Sequence, residues 1–242
     1  MKKTTVSLNT HIVVAYIIAN IILFASQLLL FLIVPDMMEN LAFLGFINLI
    51  WGGFFTIWLI YHARIYLCIN QWSYIKSNPP RAIIYTVLGF IALVVIALGS
   101  NLILIHLFGL EIDPQNQQHI IDIIRSGPLG FISMITYAII LAPIIEELVF
   151  RKGVFELIYK RFGVIAAILG NSVLFGLIHV MFEFMDTQTT TQYINIVPYI
   201  IPGIVLSIIY YRSGKLIIIP IVIHMLYNAM GIFAIIVESF IL

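Results

Sequence analysis

Apolar residues fill this chain in long blocks separated by short polar stretches. A helix that crosses a hydrocarbon core about 30 Å thick needs about 20 apolar residues. Seven blocks have about that length. They run over about His11–Val34, ended by Pro35; about Leu41–Tyr61; about Ala82–Phe108; a fourth from near Leu129; about Val164–Phe182; about Ile194–Tyr211; and about Leu216–Leu242. The pattern predicts an all-α, polytopic membrane protein of about seven transmembrane helices. No Gly/Ser linker, soluble segment or internal repeat interrupts it, so residues 1–242 are expected to form a single membrane domain.

The polar stretches carry charge unevenly. Lys2 and Lys3 precede the first span, and Arg64, Lys76 and Arg81 lie between the second and third. Arg151, Lys152, Lys160 and Arg161 follow the fourth, and Arg212 and Lys215 separate the last two. Eleven of the twelve basic residues therefore fall on one side, with Arg125 on the other. The opposite stretches carry Asp36, Glu39, Glu111, Asp113, Asp122, Glu183, Asp186 and Glu238. By the positive-inside rule the N-terminus is expected inside and the C-terminus outside. The stretch His62–Arg81 mixes aromatic and basic residues as an interfacial segment does. Glu111–Arg125, with Ile120, Ile121, Ile123 and Ile124 among polar residues, reads as a connecting loop, with an outer amphipathic helix as the alternative. Thr187–Gln192 reads as a polar loop.

Composition agrees with the pattern. The chain is 62% hydrophobic and 10% charged, against roughly 25% charged in soluble proteins. A net charge of +1 offers no electrostatic basis for nucleic-acid binding. The single cysteine, Cys68, excludes an intrachain disulfide and reads as a small buried or interfacial residue. The run after Lys2 and Lys3 is too long for a signal-peptide core and has no clean cleavage site, so the first span is expected to stay as an anchor.

Against this apolar background, one stretch is out of place: Leu141-Ala142-Pro143-Ile144-Ile145-Glu146-Glu147-Leu148-Val149-Phe150-Arg151. A charged side chain at the centre of a membrane helix costs about 2.5–3.5 kcal/mol, and such residues usually face a polar cavity and carry function. The later spans add Asn171, Phe175, His179, His224 and Asn228. Residues four apart share a helix face, so Glu147 pairs with Arg151, Phe175 with His179 and His224 with Asn228. Spans four and five read as a hairpin turning near Phe162–Gly163. Glu146 and His179 are equally far from that turn, which places them at one height if the helix continues through Gly153. His224 follows Lys215 by nine residues, roughly 13 Å of helix, although Pro220 could bend that span.

A glutamate beside a histidine can deprotonate water for attack on a carbonyl. A second histidine and an amide can donate to the developing oxyanion. Glu146, His179 and His224 also match the donor types of a hydrolytic zinc site, so a zinc-type and a metal-free site both remain open. No HExxH and no Ser/His/Asp arrangement is present. A single intramembrane histidine or asparagine equally serves as an interhelical hydrogen-bond partner. Glu147–Arg151 and Asn171 read as structural, and Glu183 and Asp186 as solvated. Buried Glu and His also build proton-coupled carriers, but no paired repeat of broken helices supports a transporter.

Together, Glu146-Glu147-x-x-x-Arg151, Phe175-x-x-x-His179 and His224-x-x-x-Asn228 resemble the CPBP family. That family comprises type II CAAX prenyl endopeptidases and bacteriocin-processing or bacteriocin-immunity proteins, also called Abi. The resemblance covers roughly residues 129–230. It implies an intramembrane peptidase with Glu146 as general base, His179 positioning the water, and His224 and Asn228 stabilising the oxyanion. Glu147, Arg151 and Phe175 would support them. The family is described both as metalloprotease and as metal-free, and the terminal Asn of the last motif favours hydrogen bonding over ligation. It further implies a membrane-associated peptide or lipidated protein as substrate, the bilayer as environment, and a bacterial cell membrane as location. A non-enzymatic immunity or scaffold protein of the same fold is the alternative.

Overall fold

The computed structural model describes residues 8–65, 71–110, 115–181 and 190–241. Lys2, Lys3, Cys68, Glu111, Asp113, Phe182, Glu183, Asp186 and residues 187–189 lie outside the described residues, as do the side chains of Arg64 and Glu238. Among the described residues every regular element is helical. We label the principal helices α1 (Leu8–Ile33), α2 (Leu41–Ile65), α3 (Pro79–Phe108), α4 (Gln115–Arg125), α5 (residues 128–162), α6 (residues 164–180), α7 (Val197–Arg212) and α8 (Ile218–Ile241).

Six continuous helices are long and apolar enough to cross a membrane, one of them the 53-residue run Pro128–Val180. Straight, that run would measure about 80 Å, far more than a bilayer core. It is bent double at Gly163, whose φ of 83° and ψ of −177° belong to a region open essentially to glycine alone. The two legs, α5 and α6, form the hairpin expected from sequence, so seven crossings arise from six continuous helices. The chain is a multi-pass integral membrane protein.

The helix ends follow local chemistry. Pro79 and Pro80 start α3, where a missing N–H costs nothing. Gly109 closes it in the left-handed conformation (φ 61°), its N–H bonded to the Ile105 carbonyl. Pro220 falls in the first turn of α8 rather than its interior, where a missing N–H breaks no helical hydrogen bond.

Three expectations need correction. Gln115–Arg125 is a helix, not a loop, because Ile120, Ile123 and Ile124 share a face that packs against Met134, Ala138 and Ile232. Thr190–Gln192, read as loop, begins a 3₁₀ helix running to Ile196. Arg151 and Lys152, counted as loop charges, are buried in the body of α5. The stretch after α2 holds a short helix, Trp72–Ser77. Its flank is tied to α8, since Gln71 accepts from the Ile217 N–H at 2.8 Å.

α6 and α7 approach closely. A Cβ on Gly176 would sit 2.8 Å from Ile196 and Ile200, and one on Gly203 would sit 3.1 Å from Ser172. This approach, locked by Asn171 Nδ2 donating to Ser207 Oγ at 2.9 Å, brings the Gly203 carbonyl up to α5.

Candidate active site

The site is built around a distortion in α5. Residues Tyr137–Leu141 and Leu148–Phe155 are π-helical and flank the single α-helical stretch Ala142–Glu147. Pro143 explains the first. In the widened register the Ala142 N–H bonds to the Tyr137 carbonyl. The next donor in that register, residue 143, has no N–H, which leaves the Ala138 carbonyl without a helical partner. Asn228 of α8 supplies one, its Nδ2 donating to Ala138 O at 2.9 Å. In the second segment the Lys152 carbonyl accepts from Asn9 Nδ2 of α1 at 2.6 Å. Gly153 permits the contact, because a Cβ there would lie 2.7 Å from Val13.

The adjacent glutamates occupy different environments. Glu147 is fully buried. Its Oε2 lies 3.0 Å from Arg151 Nε, one turn on, and its Oε1 lies 2.9 Å from His224 Nδ1. Arg151 is fully buried as well. Its Nη2 donates to the Gly203 carbonyl at 3.4 Å, and its guanidinium stands 5.0 Å from the centre of the Phe175 ring. Glu146 is 17% exposed and makes no contact that short. Its Oε1 is 3.9 Å from His179 Nε2, and its Oε2 is 3.8 Å from His224 Nε2.

Hydrogen-bond partners fix the histidine tautomers. His179 Nδ1 lies 2.7 Å from the Phe175 carbonyl, which only accepts, so Nδ1 carries the hydrogen. His224 Nδ1 faces the Glu147 carboxylate in the same way. In neutral imidazoles both Nε2 lone pairs then point toward Glu146. Tyr199 of α7 stacks on His179 at 4.4 Å and 20°, and Phe175 stands between His179 and His224 at 4.6 and 6.2 Å.

Two imidazoles and a carboxylate are the donor types of a zinc site. Yet among the described residues no three His, Cys, Asp or Glu side chains are placed to hold a metal ion.

The structure thus brings together Glu146, Glu147, Arg151, Phe175, His179 and His224, and puts Asn228 on the Ala138 carbonyl at the edge of the group. Sequence reasoning missed the Glu147–His224 bond and the Tyr199 stack, which join helices with no fixed spacing between them. It also missed Glu156, a buried carboxylate on the same helix as Glu146. Glu156 accepts from Tyr210 Oη at 3.0 Å and pairs with Lys215 Nζ at 3.0 Å.

Residues 128–230 match the family model for Rce1-like type II CAAX prenyl endopeptidases. The chain is 30% identical over 154 residues to YdiL of Bacillus subtilis (strain 168), provisionally named a membrane peptidase, covering 63% of this chain and 56% of that protein. It is 28% identical over 159 residues to the membrane-embedded CAAX protease MroQ of Staphylococcus aureus (strain USA300), covering 63% and 58%. The chain therefore spans little more than half the length of the curated relatives it matches. No solved structure matches it. The stretch that builds the site, residues 128–230, is the part of the chain that resembles the Rce1-like type II CAAX prenyl endopeptidases.

Proposed function

We propose that this protein is an intramembrane endopeptidase in which Glu146 activates the hydrolytic water. The observation that carries the reading is the approach of two imidazole Nε2 atoms to the two oxygens of one carboxylate, at 3.9 and 3.8 Å. Those separations exceed a direct hydrogen bond and suit a water held by all three groups. Glu146 takes the proton as the water attacks the scissile carbonyl, and His179, stacked on Tyr199, orients that water. His224, carrying a proton from bulk water on Nε2, donates a hydrogen bond to the oxyanion and keeps that proton as the oxyanion collapses, with the Glu147 carboxylate facing Nδ1. Asn228 Nδ2 has a second N–H beyond the one given to Ala138, and it serves the same oxyanion. Glu146 then returns its proton to the leaving amine.

Glu147 and Arg151 act by holding His224. Their mutual neutralisation lets a carboxylate sit in a fully buried position without displacing Glu146 as the base. The substrate we infer is a membrane-associated peptide or lipid-proximal protein cut near the inner face, such as a signalling-peptide or bacteriocin precursor. The relatives' names, a membrane peptidase and a membrane-embedded CAAX protease, support the membrane-associated part of this reading.

The test compares wild type with Glu146→Gln in the same membrane. Peptides are profiled by mass spectrometry at matched protein level. An uncut peptide that accumulates only with Glu146→Gln is the expected result. Identical peptide profiles, with biological activity retained, would overturn the reading in favour of a non-enzymatic membrane protein of the same fold.

A further inference from the structure

We propose that the cleft between α1, α2 and α5 is a peptide-backbone subsite, with Asn20 and Asn48 as its amide groups beside Glu146. The proposal rests on the proteolytic reading and assigns a role to the first two spans, which lie outside the matched stretch.

A cavity of about 70 Å³ is lined by Tyr16 and Asn20 of α1, Asn48 and Trp51 of α2, and Tyr137 and Glu146 of α5. It is therefore continuous with the proposed base. Its walls mix these amides, phenols and the carboxylate with apolar side chains such as Leu23, Phe55 and Ile145. Asn20 sits near the middle of α1 and is exposed. Its Nδ2 donates to the Tyr16 carbonyl of its own helix at 2.8 Å, which uses one of the three or four bonds an amide side chain can make. Asn48 Oδ1 accepts from Gln27 Nε2 at 3.2 Å, and its own two N–H groups retain donor capacity. Tyr137 holds the cleft in shape. Its ring is seated against the α2 backbone, where a Cβ on Gly52 would lie 2.7 Å from Tyr137 Cε2.

The chemistry selects the occupant. Hydrolysis requires the scissile peptide bond to leave any helix, and a segment unwound within a membrane has N–H and C=O groups with no water to satisfy them. Each such group costs several kcal/mol unless a partner is supplied. Neutral amides both donate and accept, as a peptide backbone does. A lipid tail would leave the two amides and the Glu146 carboxylate without partners, and an anionic headgroup would be repelled by Glu146. The cleft offers amides and phenols next to a carboxylate, which fits an extended peptide.

The test uses the peptide that accumulates uncut with Glu146→Gln, synthesised and supplied in micelles to purified full-length protein. Asn20→Leu and Asn48→Leu should each raise KM about three- to tenfold, the worth of one hydrogen bond, with kcat within about twofold of wild type. Asn20→Gln, which keeps the amide, should recover most of the loss. Gln27→Leu breaks the bond to Asn48 without lining the cavity, and its KM should stay near wild type. Asn48→Ser is used if Asn48→Leu does not accumulate in the membrane. An unchanged KM in the Asn20 and Asn48 variants, or a Gln27→Leu effect equal to that of Asn48→Leu, overturns the subsite while leaving the peptidase intact. If no peptide accumulates with Glu146→Gln, the proteolytic reading fails and the subsite falls with it.

Discussion

Two adjacent glutamates should respond in opposite ways to the same substitution. Glu147→Gln removes the only carboxylate among the described residues that pairs with Arg151 and leaves a fully buried guanidinium. Its remaining polar contact is the Gly203 carbonyl at 3.4 Å. The same change removes the charge facing His224 Nδ1 at 2.9 Å. Breaking a buried pair by deleting one partner costs about 3–5 kcal/mol. For a chain of this length, at about 2–4 °C per kcal/mol, the midpoint of thermal unfolding should fall by about 6–20 °C. Glu146→Gln alters a partly exposed carboxylate whose nearest partners are 3.8 and 3.9 Å away. Its midpoint should stay within about 2 °C, since changes outside tight networks are usually worth about 0.5 kcal/mol or less. Its cleavage rate should nevertheless fall by about 10²–10⁴, the usual contribution of a general base. Thermal unfolding in detergent and cleavage of one peptide by both variants decide the matter. The double variant Glu147→Gln/Arg151→Met, which removes both charges, should recover much of the lost stability. A Glu147→Gln midpoint within 2 °C of wild type would refute the reasoning, as would Glu146→Gln with full activity.

Three further outcomes follow from local geometry. Asn228→Ala leaves the Ala138 carbonyl unpaired and should cost about 1–3 kcal/mol; in a Pro143→Ala background, where residue 143 regains its N–H, the cost should shrink by about 1 kcal/mol, measured as a double-mutant cycle. Gly163→Ala should cost about 1–3 kcal/mol purely through its backbone, because a Cβ there meets nothing within 4 Å; an unchanged unfolding midpoint would show that the hairpin bend relaxes. Glu156→Gln should lower stability by about 1 kcal/mol or less, since Lys215 is a quarter exposed, and should leave peptide cleavage intact.

The family match covers the chemistry-bearing spans, while α1 and α2 contribute a wall of the cavity that contains Glu146. The proposed reacting groups sit on α5, α6 and α8, beside the buried Glu147–Arg151 pair. The proposed recognition groups sit on helices that touch them from outside.

The sequence by itself determined the helical class, the spans and which polar side chains of the late spans would lie near one another. Hydrophobic blocks must cross a membrane because nothing else satisfies both their side chains and their backbone. Charges inside such blocks must gather, because none can stay unpaired in hydrocarbon. The equal height of Glu146 and His179 was legible too, since a hairpin's register follows from its turn. Other features depended on tertiary structure. Which glutamate pairs with which histidine depends on the rotation of α5, and two π segments set that rotation. Within the loop expected over Glu111–Arg125, Gln115–Arg125 is a helix because α5 and α8 offered its isoleucines an apolar face. Asn228, four residues from His224 and on the same face, reaches a backbone carbonyl that only Pro143 leaves free. Spacing along one helix fixes which residues look the same way; what they look at is decided by the helices packed against it.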